Sequence, residues 1–371
     1  MSKAGMTREA IYGRRLSTLE KRLDKKGLRG AIIVPGPNMT YFTGVSSLLL
    51  ERPFMLLIPV DGKPQLVAPA FEAGPYAGGP VEMKIHSWTD SEGSAGAISR
   101  ASKEAGLKGK WGVEGKMPFL YLDVLMKEAS PKFRNAEPIL QGMREVKDEV
   151  EVNLLKKSST ILSRAFEEFP STLKEGLTEL EIAKAATDAI YSNGATHVDD
   201  MLVQSGPRAA DPHGLPSAKK IQKGESIIID VGATYEGYYS DITRAFCLGA
   251  NAEVEKVYGK VLEANMAGIS EAKKGARVGD VDGAARETLK KAGLGKYFTH
   301  RTGHGLGLEI HEAPYIVEGG NERLESDMCF TVEPGAYIRG QLGVRIEDDV
   351  LIEGKKGVAI TDAPKEFGWW K

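Results

Sequence analysis

Cysteine is scarce. Only Cys247 and Cys329 occur in 371 residues, which excludes a disulfide framework and a paired-cysteine zinc motif. Long hydrophobic runs are also missing: stretches such as residues 54–60 fall far short of the roughly 20 residues a membrane helix needs. No excess of one charge exists. Lys plus Arg number 49 against 51 Asp plus Glu, a net charge of −2, so nothing electrostatic favours nucleic acid or an anionic membrane as partner. Lys3, Arg8, Arg14 and Arg15 are not followed by an apolar segment, so no secretory signal is expected. The expectation is a cytoplasmic protein with two buried thiols. The 42% hydrophobic and 27% charged balance suits a globular chain, and its length calls for two domains.

What is present centres on residues 224–246, GESIIIDVGATYEGYYSDITRAF. Ile227, Ile228 and Ile229 form a β-branched run that favours a buried strand. Tyr235, Glu236 and Gly237 interrupt it, glycine permitting a tight turn. Beyond the turn, Asp241, Thr243 and Ala245 alternate with Ile242, Arg244 and Phe246, which is strand periodicity. Pairing about the turn is expected to set Asp230 opposite Asp241, about 4.5–5.5 Å apart at Cβ. Two carboxylates so close on a half-buried sheet need a proton or a cation between them. A cation is the reading adopted.

Upstream, Tyr12, Leu16, Leu19 and Leu23 recur at helical spacing before Gly27. Short apolar runs at 31–34, 54–60, 65–68 and 110–114, separated by polar and helical segments, predict a small α/β domain over 1–135. It offers no ligand constellation, and His86 reads as a packing or surface residue. Residues 136–150 read as a linker, and 151–371 as a second, α+β domain. Thr178 and Glu181 fit a capping box, and Asp280 is a candidate cap.

The second domain repeats itself weakly. Each half runs helix, a turn ending in Gly176 or Gly275, helix, a His-Gly pair (His213-Gly214, His304-Gly305), then strand acids. Those acids are Asp230 with Asp241, and Glu333 with Glu347. This suggests a duplicated unit whose halves share one site. Four carboxylates and an imidazole suit a pair of divalent ions such as Mn, Co, Fe or Zn better than copper. Two such ions activate a water and polarise a carbonyl, allowing amide hydrolysis without a protein nucleophile. Each acid is expected inside a short β run.

These segments resemble the pita-bread metallopeptidases, the family of prolidase, aminopeptidase P and methionine aminopeptidase. The resemblance spans residues 143–361 and rests on PHG at 212–214, IDVG at 229–232, SDITR at 240–244, GHGLGLEIHE at 303–312, TVEPG at 331–335 and RIEDD at 345–349. Residues 38–44 extend it weakly to a creatinase-like N-terminal domain. The fold it implies is α+β: a pita-bread catalytic domain with an internal pseudo-two-fold, preceded by a smaller α/β domain. The ligands it implies are Asp230, Asp241, His304, Glu333 and Glu347, with Asp241 and Glu347 shared between two divalent ions, Mn or Co first, Zn or Fe next. Glu333 is then also the proton carrier. His213 and His311 contact substrate and assist the carbonyl, Arg345 supports the site, and His300 lies near the substrate pocket. Asp211 departs from the pattern, since an apolar residue is usual there.

The implied activity is hydrolysis of Xaa-Pro dipeptides by a water that both ions activate. The close alternative is aminopeptidase P, removing the first residue from longer Xaa-Pro peptides. A creatinase-like small-molecule hydrolase or lyase, or a binding module of the same fold, is expected to lack ligands that this chain keeps. The implied assembly is a homodimer, and the implied partner a small peptide with proline second.

Overall fold

The computed structural model describes residues 7–129, 131–199 and 201–370, so Lys3 lies outside the described residues. The chain divides into two units, Met1–Arg144 and Glu145–Lys371.

The first unit is built on a six-stranded mixed sheet. Its strands run in the order Lys84–Trp88, Gln65–Pro69, Met55–Pro59, Gly30–Ile33, Lys110–Val113, Lys132–Asn135. The four apolar runs read from the sequence supply its interior. Both outermost strands escaped that reading because their side chains are largely exposed and polar, as edge strands commonly are. His86 is buried and bonded to Gln65 Oε1 at 2.8 Å, a packing role. The stretch 136–150 is not the linker expected. A helix, Glu137–Arg144, occupies half of it and buries Leu140 and Met143, spaced three apart on one face. Pro138 sits in its first turn, where a missing N–H costs nothing. A second helix then starts at Glu149, capped by Asp148.

The second unit repeats itself as expected. Helices Glu149–Glu168 and Glu179–Ser192, of 20 and 14 residues, are matched by Ala252–Glu271 and Val278–Lys291, again 20 and 14. Gly176 and Gly275 turn the chain within each pair at φ 88° and 87°. The Thr178–Glu181 capping box forms. Asp280 is not the cap residue itself; it is the third helical residue, and its carboxylate accepts the Arg277 backbone N–H at 3.0 Å.

Between the helix pairs lie two larger sheets and a hairpin, Gly335–Ile338 with Leu342–Arg345. Ser226–Tyr235 and Tyr238–Cys247 form the long hairpin of the first sheet. Ile227, Ile229 and Val231 pack against Ile161, Leu162 and Phe166 of the first helix pair. Ile228 and Ala245, on the other face, pack with Val257 and Val261 of the second pair. The isoleucine run is therefore buried on both faces, which is why it does not alternate. Asp230 shares the parity of Ile228, so it faces the other half of the unit.

The hairpin register corrects one expectation. Glu236 and Gly237 both have positive φ, 49° and 84°, the geometry of a two-residue primed turn. Tyr235 consequently still pairs with Tyr238, Asp230 pairs with Thr243, and Asp241 pairs with Gly232. Asp230 and Asp241 are diagonal neighbours on one face, about 7 Å apart at Cβ, and not direct opposites.

Candidate active site

Asp241 stands mid-strand on the hairpin, and His304 on the short strand Gly303–Gly305. Glu333 and Glu347 do not lie inside strands. Glu333 follows Cys329–Val332, and Glu347 sits between Leu342–Arg345 and Asp348–Glu353. Backbone bonds hold both all the same: Glu333 N–H donates to Thr302 O at 2.8 Å, and Glu347 N–H to Thr243 O at 3.1 Å.

Asp241, His304 and Glu347 each offer a ligand atom, all within 4.8 Å of one another. His304 Nε2 is 3.9 Å from Asp241 Oδ2 and 3.5 Å from Glu333 Oε1. Asp230 is the member set apart, with its Oδ2 accepting from the Arg345 guanidinium. All nine residues singled out above, His213, Asp230, Asp241, His300, His304, His311, Glu333, Arg345 and Glu347, line one cavity of about 900 Å³.

The electrostatics call for a proton or a cation among the acids. Burial, reinforced by Asp230, Asp349 and Glu333, pushes Asp241 well above the usual carboxylate range. Burial and Asp241 do the same to Glu347. Burial lifts Glu333 to about 8, against the opposing pull of Arg345. His304 is driven down to about 3, first by burial and then by His311, so its ring is neutral. Its Nδ1 faces the Gly305 carbonyl at 3.1 Å and must donate there, which leaves the Nε2 lone pair toward the carboxylates. Asp241 Oδ1 is buried with no hydrogen-bond partner. An orphaned carboxylate oxygen beside a neutral imidazole and two more acids fits divalent metal ions.

A supporting layer surrounds the acids, and the sequence reading missed its roles although it quoted its motifs. Ser240 Oγ donates to Asp349 Oδ2 at 2.5 Å, and Asp241 N–H donates to the same carboxylate at 3.2 Å. Burial raises Asp349 to about 7 despite these bonds. Thr243 Oγ donates to Glu347 Oε2 at 2.5 Å. Arg244 donates to Asp348 Oδ1 at 2.8 Å, and both side chains are fully buried. Burial alone would raise Asp348, but Arg244 and Lys365 hold it down at about 2. The available signal was a run of polar residues on strand faces too apolar to leave them in water. Tyr337, four residues beyond Glu333, carried no such signal.

A proton-ordered chain leads outward from Asp230. Arg345 donates to Asp230 and, through its NH1 nitrogen, to Tyr337 Oη at 2.8 Å. His300 Nδ1 donates to Arg301 O at 2.7 Å, so its Nε2 accepts from Tyr337 Oη at 2.8 Å. Burial, then Arg345, lowers His300 to about 4. Both of its nitrogens are engaged. His311 stacks edge-on against His304 with ring centres 4.1 Å apart. His213 is exposed, and its backbone N–H donates to Asp211 Oδ1 at 3.1 Å, so the unusual Asp211 shapes the loop beneath it.

Residues 153–354 match Metallopeptidase family M24, and residues 15–146 match the Creatinase/Prolidase N-terminal domain. The chain belongs to metallopeptidase family M24, with a creatinase-type first domain and a pita-bread second domain. It is a peptidase of a family that works with divalent metal. Among its relatives is the probable dipeptidase PepE of Mycobacterium tuberculosis, 34% identical over 362 residues, 96% of each chain. A prolidase from Thermococcus sibiricus superimposes with TM-score 0.91 at 37% identity, over 98% of this chain and 99% of that one. The Xaa-Pro dipeptidase of Bacillus anthracis does so with TM-score 0.89 at 30% identity, over 96% and 99%.

Proposed function

We propose that this protein hydrolyses the Xaa-Pro bond of dipeptides, using two divalent ions. The observation that carries the reading is the convergence of four carboxylates and a neutral imidazole on one cavity, with an Asp241 oxygen left unpartnered. The names of its relatives, dipeptidases and prolidases, support the substrate class. Asp230, Asp241, His304, Glu333 and Glu347 would hold the ions, with Mn or Co favoured by the oxygen-rich set. Bound there, such ions lower the pKa of a water and polarise the scissile carbonyl. Glu333 takes the proton the attacking water loses and passes it to the leaving nitrogen. His213 and His311 stand at the cavity wall to hydrogen-bond the carbonyl as its oxygen gains charge. Arg345 fixes Asp230, and His300 braces Tyr337 at the substrate end.

Two assays on one preparation test this. Chelation abolishes hydrolysis of Ala-Pro, and Mn or Co restores it, with two ions per chain at full activity; full activity in metal-free protein overturns the reading. Ala-Pro cleaved far better than Ala-Pro-Ala marks a dipeptidase, and the reverse marks the aminopeptidase P alternative. We further propose a homodimer, which sedimentation as a single 40.2 kDa chain at working concentration would exclude. We also propose a cytoplasmic compartment, supported by a sequence with only two cysteines, which cell fractionation tests.

A further inference from the structure

Gly232 has an aspartate on either side of it across the sheet. It pairs with Asp241 on one neighbouring strand. On the other side His197 pairs with Thr234 and Val198 with Ala233, and the Asp199 N–H continues that ladder to the Gly232 carbonyl at 2.9 Å. Residues in one cross-strand row share a face. Asp199 and Asp241 therefore look into the same cavity, and both line it. Two strand spacings separate them, roughly 9–10 Å.

The absence of a side chain at Gly232 keeps the floor between them low. A Cβ there would collide with Ile310 and lie 3.4 Å from Asp199 Oδ2. Asp199 is anchored through its other oxygen: Oδ1 accepts from Tyr239 Oη at 3.3 Å and lies 3.1 Å from His197 Nε2. Its side chain is 27% exposed. Among the described residues no Lys or Arg comes within ion-pair distance of it. A carboxylate pinned by one oxygen, on a cavity wall, with no Lys or Arg of its own, is a receptor for a cationic side chain. Val198, Leu202 and Ile310 beside it would cover the methylene stem of a long side chain.

The separation says which cation fits. The α-amine of a substrate is two bonds from the carbonyl carbon and stays with it near Asp241. A lysine or arginine side chain on that same residue reaches farther out along the cavity. We propose that Asp199 is a specificity-determining residue that receives the ammonium or guanidinium of a substrate whose first residue is lysine or arginine. The inference rests on the peptidase reading above and deepens it.

The test compares wild type, Asp199→Asn and Asp199→Lys, all metal-loaded, on Lys-Pro, Arg-Pro, Leu-Pro and Glu-Pro, with metal content measured on the same samples. In wild type the basic dipeptides are cleaved with higher kcat/KM than Glu-Pro. Asp199→Asn lowers the Lys-Pro to Leu-Pro ratio of kcat/KM about 10- to 100-fold, the value of one charged hydrogen bond, mostly through KM. Asp199→Lys turns the preference toward Glu-Pro. An unchanged ratio in both variants overturns the proposal. A uniform loss across the panel assigns Asp199 to the α-ammonium and overturns the side-chain assignment; a parallel loss of metal makes it a positioning residue and overturns it too. Lys-Ala and Leu-Ala complete the panel. If no Xaa-Pro dipeptide is cleaved the underlying reading fails, while this second pair still reports on Asp199.

Discussion

The Thr243 hydroxyl donates to Glu347 Oε2 at 2.5 Å across 104 residues of sequence. The same hydroxyl oxygen accepts from Arg345 Nε at 3.2 Å. One threonine thus orients an acid at the centre of the site and the guanidinium that holds Asp230. Thr243→Val keeps the shape and deletes both bonds. Metal affinity or activity is expected to fall about 10- to 100-fold, the usual cost of losing a partner behind a ligand. Titration against buffered free Mn, with turnover on the same samples, checks it; values within twofold of wild type would sink the idea.

Glu333 and His304 are expected to fail differently. Glu333→Gln keeps one oxygen and loses the basicity, so turnover drops roughly 10²–10⁴-fold while much of the metal stays. His304→Ala removes a coordinating nitrogen and lowers metal occupancy itself. Near wild-type turnover by a fully loaded Glu333→Gln protein would remove Glu333 from the proton-transfer role.

Arg244 and Asp348 make a fully buried ion pair, and Lys365 Nζ adds a bond to Asp348 at 2.7 Å. Asp348→Ala strands the Arg244 charge in the interior. The expected loss is about 3–5 kcal/mol of unfolding free energy, read from denaturant titration. A loss below about 1 kcal/mol would show that water or a shifted backbone carbonyl replaces the carboxylate.

In the first unit, Glu114 is buried and accepts from Val34 N–H and Asn38 Nδ2, both at 2.7 Å. Burial raises it to about 7 from an ordinary value near 4.5. Between those values the folded state holds a proton that the unfolded chain has released, so stability falls as pH rises from about 4.5 to about 7. The slope for one such group is at most about 1.4 kcal/mol per pH unit. Glu114→Gln does not titrate, and its unfolding midpoint should vary less over that window. Equal pH slopes in variant and wild type would exclude Glu114 as the titrating group.

Much of the fold and site was legible because local spacing encodes it. Helical periodicity located the helices of the second unit, and β-branched runs located the inner strands. Six motif segments marked seven of the acids and histidines that the cavity gathers, and left out His197, Asp199 and His300. Spacing along the chain does not report what meets across it. The Asp230–Asp241 register was misjudged by two residues because it depends on how many residues the turn consumes, and Glu236 adopts a positive φ that its type rarely takes. Residues 136–150 looked like a linker because charge and proline outweighed a short apolar face that only packing reveals.

Sequence by itself determined which residue types were available: four acids, an imidazole and the strand or helix period around each. Tertiary structure alone decided that SDITR and RIEDD interlock, that Asp349 holds Asp241 from behind, and that Asp199 shares a cross-strand row with Asp241 through Gly232. These contacts join residues as many as 109 positions apart in sequence. They form because two apolar sheet faces and two helix pairs must be buried together, and burial leaves each polar group only the partners that packing brings within reach.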